Sequence, residues 1–176
     1  MKPCLYLLIP ALFLVSCNQQ EIDASRLVTR NETTYEVNSD TPFTGIALAY
    51  HENGQVSERT TFKDGKQEGL FEEYYANGQV DKRVTLKDGK RDGLYEQYSE
   101  NGTLQWRMNY KDDELDGIRE DYSRDGTLIA RMNYKDGERD GIAEFYSSGG
   151  DSLTRTNHKD GEFLGLCDDP GCTDFN

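Results

Sequence analysis

Basic residues are scarce in this chain: 20 Lys and Arg face 33 Asp and Glu, for a formal net charge of -13 over 176 residues. Nucleic-acid backbones are held by clusters of Lys and Arg. No such cluster occurs here, which excludes nucleic acid as a partner. Hydrophobic residues are also few, at 35% against roughly 45–50% in an ordinary soluble domain, and the mean hydropathy is -0.85. That composition excludes a thick three-layer core. Histidine is nearly absent: there are only His51 and His158, and neither stands at a recognised spacing from a Ser or Cys nucleophile. No window shows the 3.6-residue apolar period of an amphipathic helix. No glycine-rich loop precedes a helix as a phosphate-binding loop would, and there is no alternating-Asp calcium loop. No uncharged run reaches the length of about 20 residues that a membrane-spanning helix needs. What is present argues against disorder, because 11 Tyr, 7 Phe and one Trp are too many aromatics for an unfolded acidic chain.

The longest uncharged run, Cys4 to Ser16 (CLYLLIPALFLVS), follows the positive start Met1-Lys2 and matches the apolar region of a secretory signal peptide. It ends Leu14-Val15-Ser16-Cys17, which resembles a bacterial lipoprotein signal. In that class residues 1–16 are removed and Cys17 becomes the lipidated N-terminus. Its thiol is the nucleophile toward the lipid donor, and the small residue before it lets the peptidase cut. An ordinary signal peptide with an incidental Cys is the alternative. Acyl chains such as palmitate contribute ~0.8 kcal/mol per buried CH₂, so several together make a stable anchor. The residue after Cys17 is Asn18 rather than Asp, which in a diderm favours the outer membrane. The expected location is the bacterial cell envelope, with attachment to the membrane through the N-terminal lipid. Removing residues 1–16 takes away Lys2, so 19 basic and 33 acidic side chains leave a net charge of -14.

Residues 17–40 read as the lipidated N-terminus and a polar tether, in which Leu27-Val28 and Tyr35–Val37 could form an edge strand. At the other end, residues 167–176 form a tail that holds Cys167 and Cys172 in the string CDDPGC. An exported chain sits where disulfides persist, and Asp-Pro-Gly is a turn, so a small disulfide-closed loop is expected. A metal site with Asp168, Asp169 and Asp174 is the rival, but it lacks the further Cys or His that zinc usually takes. No metal or cofactor is expected elsewhere.

Between these ends lies a 24-residue repeat, covering residues 41–166 in about five copies. Glycines fall at 45, 69, 93, 117, 141 and 165, again at 54, 78, 102, 126 and 150, and again at 65, 89, 137 and 161, where Asp113 takes the vacant place. Tyr50, Tyr74, Tyr98, Tyr122 and Tyr146 keep the same beat, as do Ile46, Leu70, Leu94, Ile118, Ile142 and Leu166. Two more series are Val56, Val80, Leu104 and Leu128 (Leu153 comes one residue late) and Phe62, Leu86, Tyr110, Tyr134 and His158. Each unit holds two turn signals, Asn-Gly or Asp-Gly and Lys-Asp-Gly, around two short strands. A two-residue Asn77-Gly78 loop would pair Glu72 with Arg83 but would split Leu70 and Tyr74 from Val80 and Val84. A three-residue Ala76-Asn77-Gly78 loop with a glycine bulge pairs Tyr74 with Val80 and Leu70 with Val84, so that all four share a face. Because a one-residue slip flips every side chain, the apolar pattern selects the second. The expected fold is all-β: an elongated single-layer ribbon of repeated antiparallel β-hairpins, each unit stabilised by its neighbours. The pre-repeat strand and the C-terminal loop cap its ends.

The unit Gly69-Leu70-Phe71-Glu72-Glu73-Tyr74-Tyr75-Ala76-Asn77-Gly78-Gln79-Val80, followed by Lys87-Asp88-Gly89, resembles the MORN (membrane occupation and recognition nexus) repeat, and more closely its bacterial variant class. The resemblance spans about residues 43–166. It implies a fold and a mode of contact, with membranes or protein scaffolds, more than a reaction. Some bacterial members carry an antitoxin label, which sits poorly with an export signal.

No catalytic constellation stands out, since no carboxylate departs from its repeat copies. His158 occupies a packing position and His51 an exposed place beside a turn. The candidate binding face is made of Tyr50, Tyr74, Tyr98, Tyr122 and Tyr146 with Glu72, Glu96, Glu120 and Glu144. Here Tyr supplies broad amphipathic contact area. The bland alternative is that these glutamates bond to neighbouring turns or Tyr hydroxyls. In the expected register Arg59, Arg83, Arg107, Arg131 and Arg155 brace the opposite face, and Phe71, Tyr95, Arg119 and Ala143 point to solvent. The expected function is a non-enzymatic, envelope-anchored lipoprotein whose repeat sheet binds or scaffolds a partner, a protein or a glycan that stacks on tyrosine. An antitoxin or immunity protein with a cognate toxin is the alternative.

Overall fold

The computed structural model of the protein describes residues 20–147 and 152–167. The expected signal segment with Cys17, and Cys172 with the expected pairing to Cys167, lie outside the described residues. The repeats fold as expected into one open sheet of 12 strands with no α-helix among the described residues. Its body runs in chain order through β4 (Gly45–Tyr50), β5 (Val56–Lys63), β6 (Lys66–Tyr74), β7 (Val80–Lys87), β8 (Lys90–Tyr98), β9 (Leu104–Lys111), β10 (Glu114–Tyr122), β11 (Leu128–Lys135), β12 (Glu138–Tyr146), β13 (Ser152–Lys159) and β14 (Glu162–Leu166). Each of these pairs antiparallel with the next.

Two kinds of turn alternate. At Lys-Asp-Gly, Lys87 faces Lys90 around Asp88 and Gly89, which have φ of 51° and 84°. Two successive positive φ values make a type I′ turn, whose twist suits the flanking strands. At the other end of the strands the Gly78 N–H donates to the Tyr75 carbonyl at 2.9 Å and the Tyr75 N–H to the Gln79 carbonyl at 2.8 Å. This is the three-residue loop Ala76-Asn77-Gly78, with Gly78 at φ 82°.

The register beyond that loop differs from expectation. Tyr74 faces Val80, but Leu70 does not face Val84. The pairing shifts between Glu73 and Tyr74 as Asp81 bulges out, after which Glu72 faces Arg83, Phe71 faces Val84 and Leu70 faces Thr85. A bulge adds one residue to one strand, so the apolar pair at the turn and the ion pair farther along are both satisfied. Uninterrupted alternation would satisfy only one of the two. Two corrections follow from the alternation of side chains across a strand. The arginines lie on the tyrosine and glutamate face, not opposite it. Phe71, Tyr95, Arg119 and Ala143 lie on the second face, which is the better buried: Ala143 is 2% exposed and Met132 4%. Ala130, Met132 and Ala143 pack there under Tyr134 and Phe145.

Leu27-Val28 and Tyr35-Glu36 are in strands as expected, but in a hairpin of their own rather than at the sheet's edge, and the segment from residue 20 is folded onto the sheet. β1 (Glu21–Asp23) adds to the sheet parallel to β4, a 3₁₀ turn covers Ala24–Arg26, and β2 (Leu27–Arg30) and β3 (Thr33–Glu36) form a separate hairpin. Ile22, Phe43, Ala47 and Phe62 make a small core beneath this cap, with Ala24 and Leu27 against it. The cap is stitched to the first repeat by backbone bonds from Thr34 N–H to the Gly65 carbonyl and from Phe43 N–H to the Thr34 carbonyl, both 2.8 Å. The isolated apolar residues of this polar segment reach the sheet one at a time, so no periodicity reveals them.

Candidate binding faces

The bulged register sets one charged residue from every strand between β5 and β13 directly beside its neighbours: Arg59, Glu72, Arg83, Glu96, Arg107, Glu120, Arg131, Glu144 and Arg155. Signs alternate without a break. The Arg83 Nε donates to Glu72 at 2.8 Å, Arg107 donates twice to Glu96 at 3.1 Å, and Arg131 Nη2 donates to Glu120 at 2.7 Å. Arg107 also reaches forward to Glu120 at 3.6 Å, so consecutive repeats share charges. The second oxygen of each glutamate accepts a tyrosine hydroxyl two residues on: Tyr74 to Glu72 at 2.9 Å, Tyr98 to Glu96 and Tyr122 to Glu120 at 2.8 Å, and Tyr146 to Glu144 at 2.7 Å. Glu72, Glu96 and Glu120 are buried, and burial alone would raise a carboxyl's pKa. At Glu120 the hydrogen bonds from Arg131 and Tyr122, with the charges of Arg131 and Arg107, outweigh burial and hold the carboxyl below its ordinary value. Burial first, and then the bonds to Glu96 and Glu120, push the Tyr98 and Tyr122 hydroxyls above 10 against the charges of the nearby arginines.

The structure thus brings four of the five expected tyrosines and all four glutamates together, but as an internally satisfied ladder. Tyr50, the fifth, is 48% exposed and lies in the first repeat, where no glutamate takes that place. What the tyrosine face offers outward is aliphatic. Leu70, Leu94 and Ile118, two residues before each glutamate, are 39%, 40% and 41% exposed in three consecutive repeats. Equivalent residues sit two strand spacings apart, ~9–10 Å. Their regular place in the repeat was legible in the sequence, but their exposure was not, because Ile46 and Ile142 in the same series are buried.

Both histidines are held. His158 is 8% exposed, bonds Thr156 through Nε2 at 3.0 Å and meets Phe163 edge-on at 5.6 Å between ring centres. His51, expected to be exposed, is half-buried, and its Nε2 lies 2.7 Å from the Tyr74 carbonyl. Among the described residues no group of three or more His, Cys, Asp or Glu side chains is placed to hold a metal ion. Cys167 is buried, and its N–H donates to the Arg155 carbonyl at 2.8 Å.

An open, singly layered sheet built from 24-residue hairpin units defines a tandem-repeat β protein. The MORN repeat variant family model matches residues 43–64, 67–88, 91–112 and 115–136, and the chain belongs to that family. The model covers four repeats, while the sheet continues in the same hairpin geometry through β12 and β13. No curated protein shows significant similarity to the chain. Repeats of this family often mediate binding to membranes or proteins.

Proposed function

We propose that the protein is a non-enzymatic binding module held at the bacterial cell envelope by lipid on Cys17, with Cys167 and Cys172 closing a small loop at its far end. Its tyrosine face docks a protein partner. The observation that carries the docking face is the row Leu70, Leu94 and Ile118, each about 40% exposed beside a polar ladder whose members already satisfy one another. A partner that covers this row removes apolar surface from water at ~25 cal/mol per Å² without breaking ladder bonds. Exposed apolar rows of this kind mark interaction sites.

Two measurements test the two halves of this reading. Cys17→Ala is expected to move the protein from the membrane to the soluble fraction, and unchanged fractionation would refute the lipid anchor. The triple variant Leu70→Gln, Leu94→Gln, Ile118→Gln is expected to keep its circular dichroism and lose its partner in crosslinking from intact envelopes. If the crosslinked species persists, the partner does not dock on this row.

A further inference from the structure

A cleft of about 500 Å³ lies between the N-terminal cap and the first two repeats, on the sheet face opposite the tyrosines. It exists because β2 and β3 arch over the Asp64-Gly65 turn, so it belongs to this chain's own cap and not to the repeat as such. Its floor is apolar, from Leu27, Ala47 and Phe62, and its walls carry the hydroxyls of Thr29, Thr34 and Thr60. Polar and charged groups outnumber the apolar ones in its lining, with Glu32, Glu58, Lys66, Gln67 and Asp88 around the rim, so a ligand there would be held by charge first; the volume falls within the usual range of roughly 300–1,000 Å³ for a small-ligand site.

The charges around it are unbalanced. Glu58 lines the cleft and stands directly opposite Glu73 across β5 and β6, an arrangement that destabilises a sheet when nothing offsets it. Glu73 has its cation, Lys82 at 2.8 Å, and Lys66 on the rim is turned to Asp88 at 3.3 Å. Glu58 accepts one bond, from the Thr60 hydroxyl at 2.6 Å, and among the described residues it pairs with no cation. Elsewhere in the repeats its place is taken by Lys82, Trp106, Ala130 and Thr154. A second carboxylate, Glu32, also lines the cleft from the β2–β3 turn. There it holds φ at 62°, a conformation in which glycine costs nothing and a side chain is strained. The other cleft of comparable size, on the tyrosine face, contrasts with this one: its Arg59 and Glu21 already face each other at 4.0 Å.

We infer that the cap cleft binds an organic cation: a primary ammonium group paired with a cleft carboxylate, Glu58 or Glu32, on a short aliphatic chain that lies against Leu27, Ala47 and Phe62. A free diamine and a lysine side chain share this chemistry. The site is distinct from the tyrosine face, and neither proposal depends on the other.

Isothermal titration of the intact protein with 1,5-diaminopentane is expected to show saturable one-to-one binding. Glu58→Gln and Glu32→Gln should each weaken it about tenfold, since a charge-assisted hydrogen bond lost is worth roughly that factor. Pentan-1-ol should not bind. Glu32 sits in an exposed turn, so its variant reports on binding even if Glu58→Gln disturbs the sheet. Nα-acetyl-lysine methylamide is the second arm. If it matches the diamine, a lysine side chain is the source. If the diamine is clearly tighter, a free diamine bridging both carboxylates is. The inference is overturned by any of three results: no saturable binding of either cation below about 10 mM, weaker than any specific site of this depth requires; equal binding of pentan-1-ol; or an equal loss in the remote variant Glu100→Gln, which would mean diffuse attraction to an acidic protein.

Discussion

Glu96 is among the best-connected carboxylates of the tyrosine face. It is 8% exposed, accepts the Tyr98 hydroxyl on one oxygen and Arg107 on the other, and faces Arg83 across the neighbouring pair of strands. Removing one member of a fully buried ion pair costs about 3–5 kcal/mol. The arginine side chains here are about 44% exposed, so water can rehydrate them and the loss is smaller. Glu96→Ala is expected to destabilise the sheet by about 1–3 kcal/mol, read as a shift of the urea midpoint, and Glu96→Gln by less. A shift worth under about 0.5 kcal/mol, the scale of a bare surface pair, would show that the ladder adds nothing to stability. The repeat positions of these residues were plain in the sequence. The tyrosine–glutamate bonds were one of the two readings left open there, and they form; the glutamate–arginine contacts were not legible in the chosen register, because the bulge at Asp81 that brings Glu72 to Arg83 leaves no mark that a single sequence carries.

At the scale of the element, the turns are the most legible part and the cap the least. The two turn signals in each unit become a type I′ turn and a three-residue loop because glycine takes positive φ at no steric cost. Gly65 and Gly89 have nearly the same φ, 79° and 84°. Their surroundings differ: a Cβ on Gly65 would lie 2.4 Å from Thr33 Cγ2 and 2.9 Å from the Thr34 carbonyl, while one on Gly89 meets nothing within 4 Å. Gly89→Ala should therefore cost only the left-handed backbone penalty, ~1–2 kcal/mol. Gly65→Ala should cost that plus the overpacking of the cap, ~1–3 kcal/mol more. Thermal melts of the two variants check the difference, and equal melting would mean that the cap does not rest on this turn. In the sequence both glycines read only as members of one periodic series. Asp113, which takes the glycine place with φ 75°, is tied down by Arg91, whose N–H and Nε both reach its carboxylate at 3.0 and 2.9 Å.

For the whole molecule, the charge ladder and the histidine make stability depend on pH from both sides. His158 is held below 6.5, first by burial and then by Arg139. A depressed group contributes stability above its unfolded pKa and loses it as pH falls, so the last hairpin weakens first, from about pH 6.5 downward. Glu120, also depressed, adds its loss below the ordinary carboxyl range near 4.5. The Tyr74, Tyr98, Tyr122 and Tyr146 hydroxyls are raised above 10.0, chiefly by burial and then by their glutamates. A raised group contributes fully below its unfolded pKa and loses that contribution as pH rises through the folded value. The melting temperature is expected to be flat between about pH 7 and pH 9 and to fall on both sides. Absorbance titration should find a set of tyrosines that ionise later than free tyrosine. A single tyrosine transition at the ordinary value would contradict the ladder.

The sequence by itself determined the period, the turns, the all-β open ribbon and the family, because each rests on local chemistry repeated every 24 residues: glycine where φ is positive, and an alternating strand between turns. Only the tertiary structure decided which side chains share a face. Face parity is set by bulges, and a bulge is chosen when two strands meet, not by either strand alone. The same holds for the cap. Ile22, Leu27 and Phe43 belong to no periodic pattern, and it is the sheet beneath them that turns a polar leader into a folded lid over a cleft.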